Sequence, residues 1–415
     1  MRPSAWFRGS RGPEQEPRGA RQPGSSDVRA LYTHLLGREA SADEVAGQLA
    51  SQPSLADLLA VITGSEEFAQ RHREGRTGTS LGPHFVNTHH PDHARWEHQP
   101  GTWSGDGVAV VGHDGWVFIG GGSNANLAQF TGEATLPDSW LDGWRELVAE
   151  RAADAASLGV ELVYLVVPDK IAIHEEQFPT ELERRGPRPV ERLLGEAGLP
   201  ILYPLDALRD SRASADVCLR TDSHMTVAGN HLLHGEVLRA LGAGHAAIER
   251  PAIGLETLGS GDLGTRFEPA IVEVFRVPGD MGSAELAEDN WPEVRAAGGH
   301  VGTRRVYRNA TAPDPRTLVV FGDSYGFGDP VNPGLSWFLA QSFASVHFVW
   351  VPCGWDPGYV RAAGGELVVS QTAERFVGRV PLVRVDAAEL AERGRRDDEA
   401  ISPDVIFGDA PGDAG

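Results

Sequence analysis

Three short stretches of the chain carry residue types able to do chemistry. The first is Thr317-Leu-Val-Val-Phe-Gly-Asp-Ser-Tyr-Gly326, a β-branched run that ends abruptly in Gly-Asp-Ser. In open α/β sheets, sites collect at the carboxyl ends of strands. A serine at such an end can present its hydroxyl as a nucleophile. Gly322 lets the backbone turn without steric cost, and N–H groups of the turn could stabilise an oxyanion. Ordinary glycine-rich turns contain the same tripeptide, so Ser324 taken alone leaves both readings open.

The second stretch is Leu219-Arg-Thr-Asp-Ser-His-Met-Thr-Val-Ala-Gly-Asn230. One residue separates Asp222 from His224, and in an extended segment side chains two apart project to the same side. A carboxylate bonded to one ring nitrogen fixes the tautomer and leaves the other nitrogen as a base. The competing reading has Asp222 capping the following helix and His224 as a surface residue. The third stretch, Val166-Val-Pro-Asp-Lys-Ile171, brings Asp169 and Lys170 to the end of an apolar run. These two either hold a loop or touch substrate, and the structural role is the simpler reading.

Elements that could position these residues follow from periodicity. Val160–Pro168 is nearly all apolar, as expected of a parallel strand buried on both faces. Further strands are expected at 317–321, 346–351 and 366–370. Trp140, Trp144, Leu147 and Val148 form a helical stripe running to about 158. Leu232, Leu233, Val237, Leu238 and Leu241 form another, starting near Thr226. Two short strands flank the Gly112-His-Asp-Gly115 turn as a hairpin. Strand–helix alternation of this kind predicts an α/β domain with a mainly parallel sheet and helices on both faces. The glycines 120–122 open no nucleotide loop, since neither GxGxxG nor Walker spacing follows.

The 415 residues suffice for one large domain and one small one, and the formal charge of −21 disfavours nucleic acid as a partner. Cys218 and Cys353 form neither a disulfide framework nor a zinc spacing. No metal site and no bound cofactor are expected. No apolar run approaches the roughly 18–20 residues of a membrane span. Residues 1–26 are rich in Pro, Gly and Arg without an apolar stretch. They read as a disordered leader and not as a secretion signal, which points to the cytoplasm.

From Asp27 the pattern becomes helical. Val28, Leu31, Tyr32, Leu35 and Leu36 recur at helical spacing up to Gly37. Ser41-Ala-Asp-Glu44 has capping-box form, Leu55, Leu58, Leu59 and Ile62 suggest a third helix, and Ser65-Glu-Glu-Phe68 opens a last turn. The expected boundaries are a helical module over 27–75, a linker over 76–104, the α/β domain over 105–385 and a flexible acidic tail over 386–415. The linker holds His84, His89, His90, His93 and His98 among prolines; irregular solvated chain is favoured there over a ligand cluster.

The string LYTHLLGREAS…SEEF resembles a small bacterial helical family distantly similar to phycobilisome-linker modules. That likeness implies docking to a protein partner and no catalysis of its own. In the body, HDGWVFIG, VVPDKIAIHEEQFP, TDSHMTVAG, VVFGDSYG and LVVSQTAERF follow one another in the order of the alginate O-acetyltransferase group of the SGNH hydrolase superfamily, which residues 105–380 resemble. The resemblance implies Ser324 as the nucleophile that takes an acetyl group, His224 as its base and Asp222 as the residue orienting His224. It places Tyr325 near the acceptor sugar and gives Glu374-Arg375 a supporting role. It further implies an acetyl donor and a carbohydrate or glycosylated acceptor. Met225 departs from the family's usual Trp. Members of the group mostly work outside the cytoplasm, unlike the compartment the leader suggests. A carbohydrate acetyl esterase with the same triad, or a non-catalytic carbohydrate-binding or scaffold protein, would share these residues.

Overall fold

The computed structural model describes residues 98–122, 124–280, 282–296, 299–328 and 332–396, with parts of 25–73. The expected leader (apart from residue 25), the linker up to residue 97 with His84, His89, His90 and His93, and the end of the tail from 397 lie outside the described residues. Eleven strands are described. They are β1 (Ala109–Val111), β2 (Val117–Ile119), β3 (Glu161–Val167), β4 (Ile201–Leu202), β5 (Ile253–Gly259), β6 (Glu273–Pro278), β7 (Glu285–Asp289), β8 (Arg304–Arg308), β9 (Asp314–Gly322), β10 (Phe343–Trp350) and β11 (Leu367–Ala373). Among the described residues no helix is long and apolar enough to cross a membrane.

The chain divides into two compact units. One comprises residues up to Phe118 with Leu219–Ser223 and Pro251–Asp280; the other comprises Ile119–Cys218, His224–Arg250 and the chain from Met281.

In the first unit, Val28, Leu31, Tyr32, Leu36, Val45, Leu58, Ile62 and Phe68 pack as the core of the helical module. Ser41 caps the helix Ala42–Ser51 reciprocally with Glu44, as the capping-box pattern predicts. Residues of the Leu-Gly-Arg-Glu and Ser-Glu-Glu-Phe motifs pair with each other. Arg38 donates to Glu67 at 2.6 and 2.8 Å and to Glu44 at 3.0 and 2.6 Å, with its guanidinium over the Tyr32 ring. The Ser65 hydroxyl accepts from the Phe68 N–H at 3.1 Å. One arginine thus ties three points of the module with fork geometry that lysine cannot reproduce.

Strands β1 and β2 pair as the expected hairpin around the His113–Gly115 turn. Strand pairing begins before residue 105, within the expected linker, since Trp103 bridges to Val110. His98, the one linker histidine among the described residues, lies 2.6 Å from the Pro269 carbonyl and against the Phe267 ring. An antiparallel ribbon, β5 with β6, was not anticipated from the sequence.

The second unit holds a seven-stranded sheet in the order β4-β3-β11-β9-β10-β8-β7. The first five strands are parallel, and β8 and β7 continue the sheet antiparallel. The mainly parallel α/β expectation therefore holds, with an antiparallel edge added. Val319, Phe321, Val349 and Val368 point to one face, which is covered by the helices Trp140–Leu158 and Pro357–Ala363. The helices Val227–Ala240 and Leu335–Ser342 cover the other face.

The expected flexible tail needs correction. Ala387–Arg396 is a helix whose Ala387 and Leu390 are buried with Phe321 and Val349. Asp386 starts it by accepting from Glu389 N–H, and Asp356 accepts from Ala387 N–H. One leucine and three alanines among many charges were too weak a periodic signal to read.

Two pH dependences follow. The hydrogen bonds from Arg38, then the Ser41 backbone, hold the Glu44 carboxyl down to about 2, below its ordinary 4.5. A depressed carboxyl stabilises the fold above its unfolded pKa, and that stability is lost as pH falls from 4.5 towards 2. Hydrogen exchange of the full chain should therefore show peptides in 28–68 losing protection over that window. Arg38→Met should flatten the trend. In the second unit, burial pushes His234 down to about 3, and its Nε2 lies 2.7 Å from the Ser342 hydroxyl. The unfolded chain binds a proton at His234 near the ordinary 6.5 and the folded chain does so only near 3. Its stabilising effect is present above 6.5 and is lost as pH falls through that interval. Urea midpoints between pH 7 and 4 should fall less steeply for His234→Gln than for the wild type.

Candidate active site

Strand β9 ends at Gly322, and Ser324 is the first residue of the short helix Ser324–Phe327. The turn between them is fixed through Asp323, which is 2% exposed. Asp323 Oδ1 accepts from Tyr325 N–H at 3.0 Å and from Gln371 Nε2 at 2.7 Å; Oδ2 accepts from Ala373 N–H at 2.6 Å. Asp323 N–H in turn donates to Gln371 Oε1 at 3.0 Å. Three donors on one buried carboxylate satisfy the charge and leave the turn a single conformation.

The two glycines of Gly-Asp-Ser-Tyr-Gly are required by close approach. A Cβ on Gly322 would lie 2.5 Å from Gln371 Oε1, and one on Gly326 would lie 2.6 Å from the Phe348 ring. The Gly-Asp-Ser-Tyr-Gly pattern is thus a packing statement. Ser324 itself is partly exposed.

His224 meets this turn through Tyr325. The two rings lie 5.1 Å apart at 61°, edge to face. The neighbouring Met225 carbonyl accepts from Asn332 Nδ2 at 3.1 Å, a second tie between the histidine segment and the chain after the serine. Helix Val227–Ala240 is capped by Thr226, whose hydroxyl accepts from Gly229 N–H. Gly229 is obligatory, because a Cβ there would meet the Val217 carbonyl oxygen at 2.1 Å. In Asp-Ser-His-Met-Thr-Val-Ala-Gly, threonine and glycine therefore set the helix start that carries His224.

Asp222 does not cap that helix. Residues 220–224 run as successive bends, so the alternation expected of an extended segment does not apply to Asp222 and His224. The boundary between the two units falls between Ser223 and His224, with Asp222 in the first unit. There its Oδ2 accepts from Asp262 N–H at 3.0 Å, while Asp262 accepts from the Ser223 N–H and hydroxyl, both at 2.7 Å. Glu273 accepts from Arg220 and Thr221 N–H at 2.9 and 2.7 Å. The segment Pro251–Asp280 thus holds Thr221-Asp222-Ser223 in place. Nothing in the isolated sequence linked Asp262 or Glu273 to that segment.

Tyr325, placed near an acceptor sugar by resemblance, is 2% exposed and offers sugar no face. It lies 5.5 Å above the Arg375 guanidinium. Arg375 Nη1 donates to Asp169 Oδ1 at 2.6 Å, and Asp169 N–H donates to Glu374 Oε2 at 3.1 Å. Glu374 also accepts from Arg188 and the Tyr203 hydroxyl, both at 2.8 Å. Burial raises the carboxyls of Asp169 and Glu374, the latter to about 7, against the pull of Arg375 and Arg188. The structural reading of Asp169, Glu374 and Arg375 agrees with these contacts. Gln371 was missed; its signal was Ser-Gln-Thr inside an otherwise apolar central strand.

Among the tryptophans, Trp116, Trp337 and Trp355 are buried. Trp350 is partly exposed and pairs in register with Gly322 at the end of the neighbouring strand. Its ring is nearly parallel to Trp291 at 6.0 Å, and Phe327 lies 5.0 Å away.

Residues 109–265 match the family described as ALGX, the SGNH hydrolase-like domain of acetyltransferase AlgX. Over that segment, which contains Asp222 and His224, the resemblance to the alginate O-acetyltransferase group is shown; Ser324 lies beyond it. No curated protein matches the chain. Among solved structures, it is similar to the O-acetyltransferase domain of Pseudomonas putida AlgJ, at 18% identity over 69% of this chain and 98% of that one, with a TM-score of 0.38. Bacillus cereus PatB1 with a sulfonyl adduct gives 13%, 68%, 97% and 0.43, and Pseudomonas aeruginosa AlgX gives 16%, 68%, 66% and 0.42. At these identities and TM-scores, none of the three bears on substrate or mechanism.

Gly229→Ala should cost roughly 1–3 kcal/mol or more, because the methyl group is driven into a backbone carbonyl. A lowered urea midpoint would show it, whereas Ala228→Gly, which adds no atom, should cost only about 1 kcal/mol.

Proposed function

We propose that this chain, whose residues 109–265 match an SGNH hydrolase-like acetyltransferase domain, is an O-acetyltransferase acting through a serine acyl-enzyme. The observation that carries the reading is the seating of His224 against Tyr325, the residue directly after Ser324, in a turn locked by Asp323.

In the first half-reaction His224 takes the Ser324 hydroxyl proton as Oγ attacks the carbonyl carbon of an acetyl donor. The tetrahedral intermediate collapses, the bond to the donor's oxygen or sulfur breaks, and the leaving group receives the proton from His224. In the second, a hydroxyl of a carbohydrate or glycosylated acceptor gives its proton to His224 and attacks the acetyl carbon. The Ser324 ester bond breaks and the proton returns to Ser324. Asp222 orients His224, and N–H groups of the turn stabilise the oxyanion. Trp350 offers the acceptor ring a flat apolar face at the same strand ends.

Intact mass after brief exposure to an activated acetyl ester tests this. The wild type should gain one acetyl group, and Ser324→Ala should gain none. His224→Ala should acylate roughly 10²–10⁴-fold more slowly. Adding cello-, chito- or manno-oligosaccharides to the acylated protein separates transfer to sugar from hydrolysis, which is what an esterase would give. A folded wild type that gains no adduct would sink the enzymatic reading.

A further inference from the structure

We propose that Arg375 and Tyr325 are positioning residues for His224: the buried ion network at the carboxyl edge of the sheet sets the imidazole through the Tyr325 ring. The inference rests on the reading of His224 as the base that serves Ser324.

Tyr325 is pinned from two directions. Its N–H is held by Asp323 at 3.0 Å, and the Arg375 guanidinium lies 5.5 Å from its ring centroid. Arg375 is fixed in its turn by Asp169 at 2.6 Å, which Glu374 joins to Arg188 and Tyr203. A buried ring held at its backbone and backed by a fixed guanidinium has little freedom to tilt, so the edge-to-face contact at 5.1 Å gives His224 a fixed wall. Angular error in a base is expensive for proton transfer, and groups behind a catalytic residue commonly set its precision.

Stability alone does not account for so many buried charges. Arg188, Asp169, Glu374 and Arg375 are each less than a tenth exposed, and apolar side chains of similar volume can replace a buried ion pair at no loss. What a forked guanidinium supplies, and an apolar side chain does not, is direction. Asp169 and Arg375 come from the ends of β3 and β11, adjacent strands in the sheet, and Tyr325 follows β9 on the other side of β11. The network therefore ties His224 to three strand ends at once.

The test compares Tyr325→Phe, Tyr325→Leu, Arg375→Met and the double variant Asp169→Leu with Arg375→Met in the full chain. The double variant leaves no unpaired charge and covers the case in which Arg375→Met alone fails to fold. Two readouts are taken: the rate of Ser324 acetylation by an activated acetyl ester against pH, and the ring ¹⁵N and ¹³C signals of labelled His224. The maximal acylation rate should fall roughly 10–100-fold in Tyr325→Leu and in the double variant. Half-saturation by the ester should move less than twofold, and the His224 ring signals should broaden or split. Tyr325→Phe should keep more of the rate than Tyr325→Leu, because the ring edge remains. A folded double variant with the wild-type rate and a single sharp set of His224 signals would overturn the proposal. If wild type does not acylate, the function proposed above fails, and the ring signals alone then decide whether this network sets His224.

Discussion

Everything at the candidate site depends on one buried carboxylate. Asp323 receives N–H groups from its own turn, from the Gln371 side chain and from the backbone where β11 ends. Without such a lock, a serine after a glycine at a strand end would sample many orientations. With it, the direction in which Ser324 leaves the sheet is fixed by the pairing of β9 with β11. The glycines on either side follow from the same constraint. Gly322 makes room for the Gln371 amide and Gly326 for the Phe348 ring, so the backbone can settle onto its neighbours closely enough to bond.

A second layer of charge surrounds this lock. Asp169, Glu374, Arg188 and Arg375 sit where apolar packing would have sufficed for cohesion. Their ordering is directional, with one arginine aimed at the aromatic ring beside Ser324. The first unit shows the same device on its surface, where Arg38 closes the helical module by bridging Glu44 and Glu67. In both places a forked cation joins segments distant in sequence. The buried example carries the larger penalty for losing a partner, because an uncompensated charge there has no access to water.

Much of this was legible in the sequence, and particular residues show why. The stripe behind Thr226 announced a helix start, the apolar run to Val167 announced a buried strand, and Gly-Asp-Ser at the end of another run located the turn. Each of these signals is local. What could not be read was pairing between remote segments: Gln371 with Asp323, Asp262 with Asp222, Arg375 with Tyr325. The burial of Tyr325 was not legible because an aromatic next to such a serine looks the same in sequence whether it faces solvent or the core. Strands β7 and β8 escaped notice because Glu285–Asp289 and Arg304–Arg308 are charged, edge-type sequences without clear alternation.

The order of the sheet has a further consequence, for how the protein comes into being. Strand β11 is the last strand along the described chain, yet it lies between β3 and β9, near the middle of the sheet. A chain emerging from the ribosome has every other strand of that sheet available before the one that joins them. Until β11 arrives, β3 and β9 present unpaired edges, and Asp323 lacks two of its three donors. Parallel insertion of a late central strand is a slow, long-range event, and the open edges that await it invite misassociation. The Gly-Asp-Ser turn is therefore among the last parts of the molecule to acquire its shape, and a nascent chain stopped short of residue 367 carries Ser324 without the strand that aims it.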